Sequence, residues 1–215
     1  MFEHLPAQRL ASTPRVDVQR RQVLAAALSV ACLPTAARAA PPAQPSQSAK
    51  PEGPMISFRG TEFLHRWSKG GQHEFTPQRD ADLTRWRDMI TLNLHESATQ
   101  GEQLAGIANQ VLANYQQHGK ILQTRSTPRT AQRPAEHLIV AVLGTPQLLE
   151  AAFARCLLHE GVGLVAVVSH RVYGQAVGPE MSAWLGANGP QVEQALMAWA
   201  ALPGVASLKR LRGGA

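Results

Sequence analysis

Two groups of side chains have types and spacing that suit chemistry. His65 and His73 fall on either side of a glycine pair, Gly70 and Gly71, with Glu74 next to the second histidine. A hairpin would bring both imidazoles together, and two imidazoles are half of a zinc site. Zinc takes three or four N, S or O ligands held tetrahedrally, and no C-x-x-C or H-x-x-x-H pattern completes the set. The second group is His170, Arg171 and Tyr173. Strand alternation would send His170 one way and Arg171 with Tyr173 the other. The forked Arg171 donor beside a phenol suits an anionic partner. The same residues suit an internal Arg–carboxylate pair with a tyrosine packed at the sheet edge. For nucleophilic catalysis, Ser169 and His170 are neighbours that point to opposite faces. Cys156 and His159 have no acidic residue to orient the imidazole. The sequence contains no G-x-S-x-G, no G-x-G-x-x-G and no Walker loop. A hydrolase is therefore the weakest of the functional readings, and no catalytic residue, metal ligand set or cofactor is assigned.

The elements that must carry these residues can be traced along the chain. Residues 62–69 alternate, with Phe63, His65 and Trp67 expected on one face and Leu64 and Arg66 on the other. The glycine pair then turns the chain into 72–77, a hairpin signal. If the face of Phe63, His65 and Trp67 were uncovered, it would be a partner-binding patch. Residues 80–85 read as a polar turn or short helix. Residues 86–95 alternate again, placing Ile90, Leu92 and Leu94 opposite Met89, Thr91 and Asn93. Residues 99–119 form the clearest helix: Leu104, Ile107, Ala108, Val111, Leu112 and Tyr115 follow its period. Thr99 with Glu102 reads as its capping box, and Gly119 as its C-cap. Strands follow at 120–127 and 137–144, separated by a loop rich in Thr, Pro and Arg. Residues 145–160 are open to two readings. Thr145 and Pro146 start a helix by local rules, whereas alternation pairs Ala151, Phe153, Arg155 and Leu157 against Ala152, Ala154, Cys156 and Leu158. Residues 164–174 are a strand. Two helices are expected at the end, over 179–187 and from Pro190 onward, with Asn188, Gly189 and Pro190 between them.

The chain begins with a different kind of signal. Arg20 and Arg21 precede an uncharged apolar run over 23–33, and Ala37, Arg38 and Ala39 form a small-x-small cleavage site. Charged segment, short apolar core and A-x-A site make an export signal. Twin arginines favour the Tat route over Sec, although Val23 stands where that pattern has Phe. Cys32, preceded by Ala31, leaves lipoprotein processing as a further alternative. The apolar core is short of the ~20 residues needed to cross a bilayer, so no transmembrane anchor is expected. The domains are therefore read as a signal peptide over 1–39, a Pro/Ser-rich linker over 40–58, one folded domain over 59–204 and a basic tail over 205–215.

Removing the signal changes what the charge implies. The whole chain has a net charge of +6 and a pI near 10.0, which on its own would suggest nucleic acid. The excess lies at the ends: five Arg against Glu3 and Asp17 in 1–39, and Lys209, Arg210 and Arg212 near the C-terminus. Between 55 and 204, basic and acidic residues balance at twelve each. A neutral domain has no footprint for a phosphate backbone. Cys156 is the one cysteine left after cleavage. It lies among Phe153, Leu157 and Leu158, where it reads as a small buried hydrophobe.

Three stretches carry a family resemblance. They are Phe63, Leu64, His65, Arg66, Trp67 and Ser68 with His73, Glu74, Phe75, Thr76 and Pro77; residues 168–174; and residues 184–190. With the element order, they resemble a family of proteobacterial exported proteins that share the fold of photosystem II extrinsic subunit P (PsbP-like). A eukaryotic Ran-binding release factor has the same fold. The resemblance implies an α+β fold, an antiparallel sheet with helices packed on both sides, and no shared catalytic site. Its members are mostly accessory or binding proteins. The expectation is a periplasmic or secreted, non-catalytic accessory protein that meets a protein partner in the cell envelope. A periplasmic small-ligand or metal binder is the alternative, and His65, Trp67, His73, His170, Arg171 and Tyr173 are the candidate residues for binding a ligand or a partner.

Overall fold

Period-two burial organises the computed structural model, which describes residues 54–131 and 133–211. Eight strands form one sheet: β1 (Met55–Phe58), β2 (Thr61–Lys69), β3 (Gln72–Thr76), β4 (Asp88–His95), β5 (Gly119–Thr127), β6 (Glu136–Thr145), β7 (Leu148–His159) and β8 (Val162–Tyr173). Their order is β1-β2-β3-β4-β8-β7-β6-β5, and every pairing is antiparallel. Among the described residues three α-helices complete an α+β fold: α1 (Gly101–His118), α2 (Val177–Ala198) and α3 (Val205–Arg210). The export-signal residues Arg20, Arg21, Ala37 and Ala39, and Cys32, lie outside the described residues. Among the described residues no helix is long and apolar enough to cross a membrane.

Neighbouring residues on one strand join different apolar clusters. Leu138, Val140, Phe153, Leu164 and Ala166 pack with Met181, Val192 and Leu196 of α2 and with Val205 and Leu208 of α3. Ile139, Ala154, Cys156 and Val165 pack with Leu104 and Ala108 of α1. Each fully buried Val, Leu, Ile, Phe or Met side chain among them contributes about 1.5–3 kcal/mol relative to exposure, so both clusters are substantial sources of stability.

The open question at 145–160 resolves to strand. Thr145, Pro146 and Gln147 turn the chain, and β7 pairs along its length with β6 and β8. A strand lets Phe153 and Ala154 enter two different clusters at once, which one helical stripe would not. Tertiary pairing thus overrides a local helix-start signal.

Four other expectations need correction. Residue 190 does not separate two helices, because α2 runs through Pro190. An internal proline costs about 3 kcal/mol; the buried stripe of Met181, Val192 and Leu196 offsets it, and the Asn188 side chain donates to the Trp184 carbonyl at 3.1 Å. The α1 cap uses Gln103, not Thr99 with Glu102: Gln103 Oε1 accepts from the Thr99 and Gln100 N–H groups at 2.8 and 3.1 Å. Gly119 opens β5 with an extended backbone and is not a left-handed C-cap. Its missing side chain serves the strand, since a Cβ there would come within 2.0 Å of the Val142 carbonyl oxygen. Finally, the fold outruns the expected 59–204. β1 falls within the stretch read as linker and buries Ile56 and Phe58. α3 falls within the stretch read as tail and buries Val205 and Leu208.

Two polar pins fix the C-terminal helices to the sheet. Arg155 is buried on β7. It donates to both Glu136 carboxylate oxygens at 2.9 and 3.1 Å, and to the Leu196 and Trp199 carbonyls at 2.9 and 3.1 Å. A cation thereby meets the last carbonyls of α2, where Leu196 also accepts from the Trp199 N–H at 3.2 Å. At the β7–β8 turn, Glu160 accepts the first N–H of α3, from Val205, at 2.7 Å.

Candidate functional site

The structure resolves the sequence-selected residues into two separate places and reverses the expected facing of one of them. Cross-strand partners lie on the same face, so the register can be read across the sheet. His65 pairs with Phe75, Phe75 with Ile90, Ile90 with Val168, and Val168 with Phe153. Trp67 pairs with Glu74, Glu74 with Thr91, Thr91 with Val167, and Val167 with Ala154. His65 thus shares the face of Phe153, and Trp67 that of Ala154. The expected common face of Phe63, His65 and Trp67 fails because a β-bulge falls between His65 and Trp67. One extra residue reverses every side chain beyond it. Arg66 sits in the bulge, where Nε donates to Thr76 Oγ1 at 3.0 Å and Nη2 to the Pro77 carbonyl at 3.2 Å.

The bulge has a second effect: it brings Ser68 between the two histidines. Ser68 Oγ lies 2.7 Å from His65 Nε2 and 2.7 Å from His73 Nδ1. The hydroxyl has one proton, so it donates to one imidazole and accepts from the other. Burial lowers the pKa of both histidines; the charge of His65 adds to the effect at His73, and a hydrogen bond with the Trp67 backbone opposes it at His65. Both are therefore held neutral at pH 7. His73 is buried, and its Nε2 has no hydrogen-bond partner among the described residues. His65 and His73 do converge as the hairpin implied, but through Ser68, a residue the sequence did not single out. Its signal was the His-x-x-Ser spacing, which becomes readable only once the bulge is known.

The other three residues are drawn into internal contacts at the end of β8. Arg171 Nε donates to Glu150 at 2.7 Å, and its guanidinium lies 3.8 Å from the centre of the buried Trp86 ring. The Tyr173 hydroxyl donates to the Trp86 carbonyl at 2.7 Å. His170 lies on the opposite face, stacked on Trp184 with ring centres 4.1 Å apart, and Nδ1 is 2.8 Å from Asp88 Oδ1. Asp88 also pairs with Arg79. Burial opposes ionisation of Asp88, yet the His170 and Arg79 hydrogen bonds and charges together hold its carboxyl below the usual range. These contacts fasten the loop over 77–87 to the sheet. They do not meet the Ser68 group: β3 and β4 lie between β2 and β8.

Among the described residues no group of three or more His, Cys, Asp or Glu is arranged to hold a metal ion. Cys156 is buried in the α1 cluster, and burial pushes its thiol up to about 12, which leaves it protonated and unreactive at neutral pH. The chain matches no protein-family model, and no curated protein is similar to it in sequence.

One further surface stands out on geometry alone. Among the described residues β5 ends the sheet, pairs only with β6, and is exposed at every residue but Ile121. Beside it, towards α2, an open cavity of about 420 Å³ is lined by Arg125, Pro190, Glu193, Gln194, Met197 and Ala198. A second, of about 200 Å³, shares Arg125 and Met197 and extends to Thr127 and Arg133.

Proposed function

We propose that this chain is an exported accessory protein of the cell envelope, with a three-layer PsbP-like architecture, that works by binding another protein and not by catalysis. The observation that carries the reading is the β5 edge. A long, exposed strand with an unpaired backbone edge is a template for another strand. Alternation between the α1 cluster and the α2–α3 cluster along β6, β7 and β8 supports helices on both sides of the sheet. Export through the Tat route rests on Arg20 and Arg21, with Ala37 and Ala39 marking the cleavage site. Crosslinking the tagged chain in intact cells tests the reading. A defined envelope protein should accompany it; recovery of the chain alone under conditions that trap known envelope complexes overturns the proposal.

Ser68 favours a second reading, a serine hydrolase, because its hydroxyl lies beside two neutral imidazoles. A fluorophosphonate probe would then label Ser68 in the native protein and leave Ser68→Ala unlabelled. Absence of label on the native chain removes this reading.

A further inference from the structure

We infer that the partner enters as an extended, acidic segment that adds a ninth strand to the sheet along residues 123–127 of β5. This rests on the binding-protein reading and specifies its partner. Three observations converge on the position. First, β5 is the long edge of the sheet. A bulge between Ile121 and Gln123 interrupts its first part, and bulges hinder strand addition. From Gln123 to the end the pairing with β6 is regular, and no described backbone group beyond β6 bonds this run.

Second, the charge of the segment itself is one-sided, the Glu193 and Glu136 carboxylates beside it being paired with Arg125 and Arg155. Residues 119–135 contain Lys120, Arg125, Arg129 and Arg133 and no acidic residue, although the domain as a whole is balanced. Arg125 is paired with Glu193 at 2.9 Å. Lys120, Arg129 and Arg133 have no ion pair among the described residues. This balance selects among occupants. A second copy of the chain would set one basic segment against another. The stretch over 205–215 carries Lys209, Arg210 and Arg212 and is likewise the wrong sign. Complementary charge, which gives specificity and speeds encounter, calls for a carboxylate-rich strand.

Third, the two cavities run beside Arg125 and share Met197. In strand addition the backbone supplies affinity, and pockets for alternate side chains supply specificity. Both cavities open next to Arg125 on the α2 side of the sheet, within reach of side chains that an added strand would turn to that face.

The test titrates the mature protein with a short peptide alternating Glu with Val and Thr, and with its Lys-for-Glu counterpart. NMR follows the backbone amides. The Glu peptide should bind at least about tenfold more tightly than the Lys peptide at low salt and lose this advantage as salt rises. The shifted amides should cluster at 123–127. The double variant Lys120→Glu with Arg129→Glu alters exposed side chains only and should reverse the preference. Equal affinity for both peptides, shifts centred on another strand, or self-association through β5 would each overturn the inference. If the chain still captures an envelope protein in cells, the broader binding reading survives that failure; if it is recovered alone, the broader reading fails as well.

Discussion

The two edges of the sheet are built oppositely. β1 has four residues, follows directly on Pro54, carries no charged side chain, and buries Ile56 and Phe58, the latter ring-to-ring with Trp199 at 5.1 Å. β5 has nine residues, almost all exposed, with Leu122 45% exposed in its bulge. Short length and a neighbouring proline are the usual guards against unwanted strand pairing. β1 has both guards; β5 has a bulge near one end, with Lys120 before it and Arg129 and Arg133 in the loop that follows the strand. The difference teaches where the molecule tolerates company. One edge is short and anchored by its packed side chains; on the proposal above, the other is open and selective by sign.

Arg155 couples the two edges, so its removal should have the largest effect. It holds Glu136, which faces Thr127 at the end of β5, and it holds the Trp199 carbonyl behind the Phe58 contact of β1. Arg155→Ala leaves Glu136 without its cation and opens the end of α2. Breaking a buried pair costs about 3–5 kcal/mol, and urea unfolding should show a loss of that order. A change below about 1 kcal/mol would mean that the pin does not support the edges.

A smaller change should separate the edges. Gly119→Ala places a methyl group against the Val142 carbonyl. Overpacking of this kind costs about 1–3 kcal/mol. Hydrogen exchange should speed up at the start of β5 and stay unchanged in β1. Equal effects at both edges would show that β5 is not independently mobile.

Ser68→Ala acts near the closed edge only. It leaves His65 Nε2 and His73 Nδ1 without the shared hydroxyl, at a cost of about 1–3 kcal/mol. Peptide binding at β5 should be unaffected, which a titration of the variant checks.

The smallest effect is that of pH on the same region. His65, His73 and His95 have folded pKa values below their ordinary 6.5. As pH falls through about 6.5, the unfolded chain takes up protons that the fold resists. Their contribution to stability is therefore full above that pH and shrinks below it, until the lower folded values are reached. Asp88 acts at more acid pH: its contribution is present above the unfolded value near 3.9 and is lost as pH falls through the lower folded one. Denaturant midpoints should decline from pH 7 to 5. A flat profile there would mean the histidines are not held neutral.

Much of this fold was legible because alternation is a local property. Ile90, Leu92 and Leu94 on β4, and the α1 stripe from Leu104 to Tyr115, could be read directly. Other features were not, each for a physical reason. The bulge at Arg66 depends on cross-strand pairing, so alternation alone puts Trp67 on the wrong face and gives no reason to single out Ser68. β7 is rich in small residues, Ala151, Ala152 and Ala154, whose helix propensity disguises a strand buried on both faces. Pro190 reads as a break because local rules do not count the burial that carries α2 through it. The β5 edge was visible as a strand but not as an edge, since its place follows from the order of all eight strands. The candidate residues themselves were readable by type; their use in internal pairs, as with Arg171 and Glu150, was not.

The contrast between the edges is tested most directly by a photo-crosslinking residue placed in living cells at Thr124 on β5 and, separately, at Met55 on β1. Mass spectrometry of the adducts should map a crosslink from position 124 to a carboxylate-rich extended segment of one envelope protein, and none from position 55. Crosslinks from position 55 but not from 124, or from 124 only to a second copy of this chain, would contradict the account.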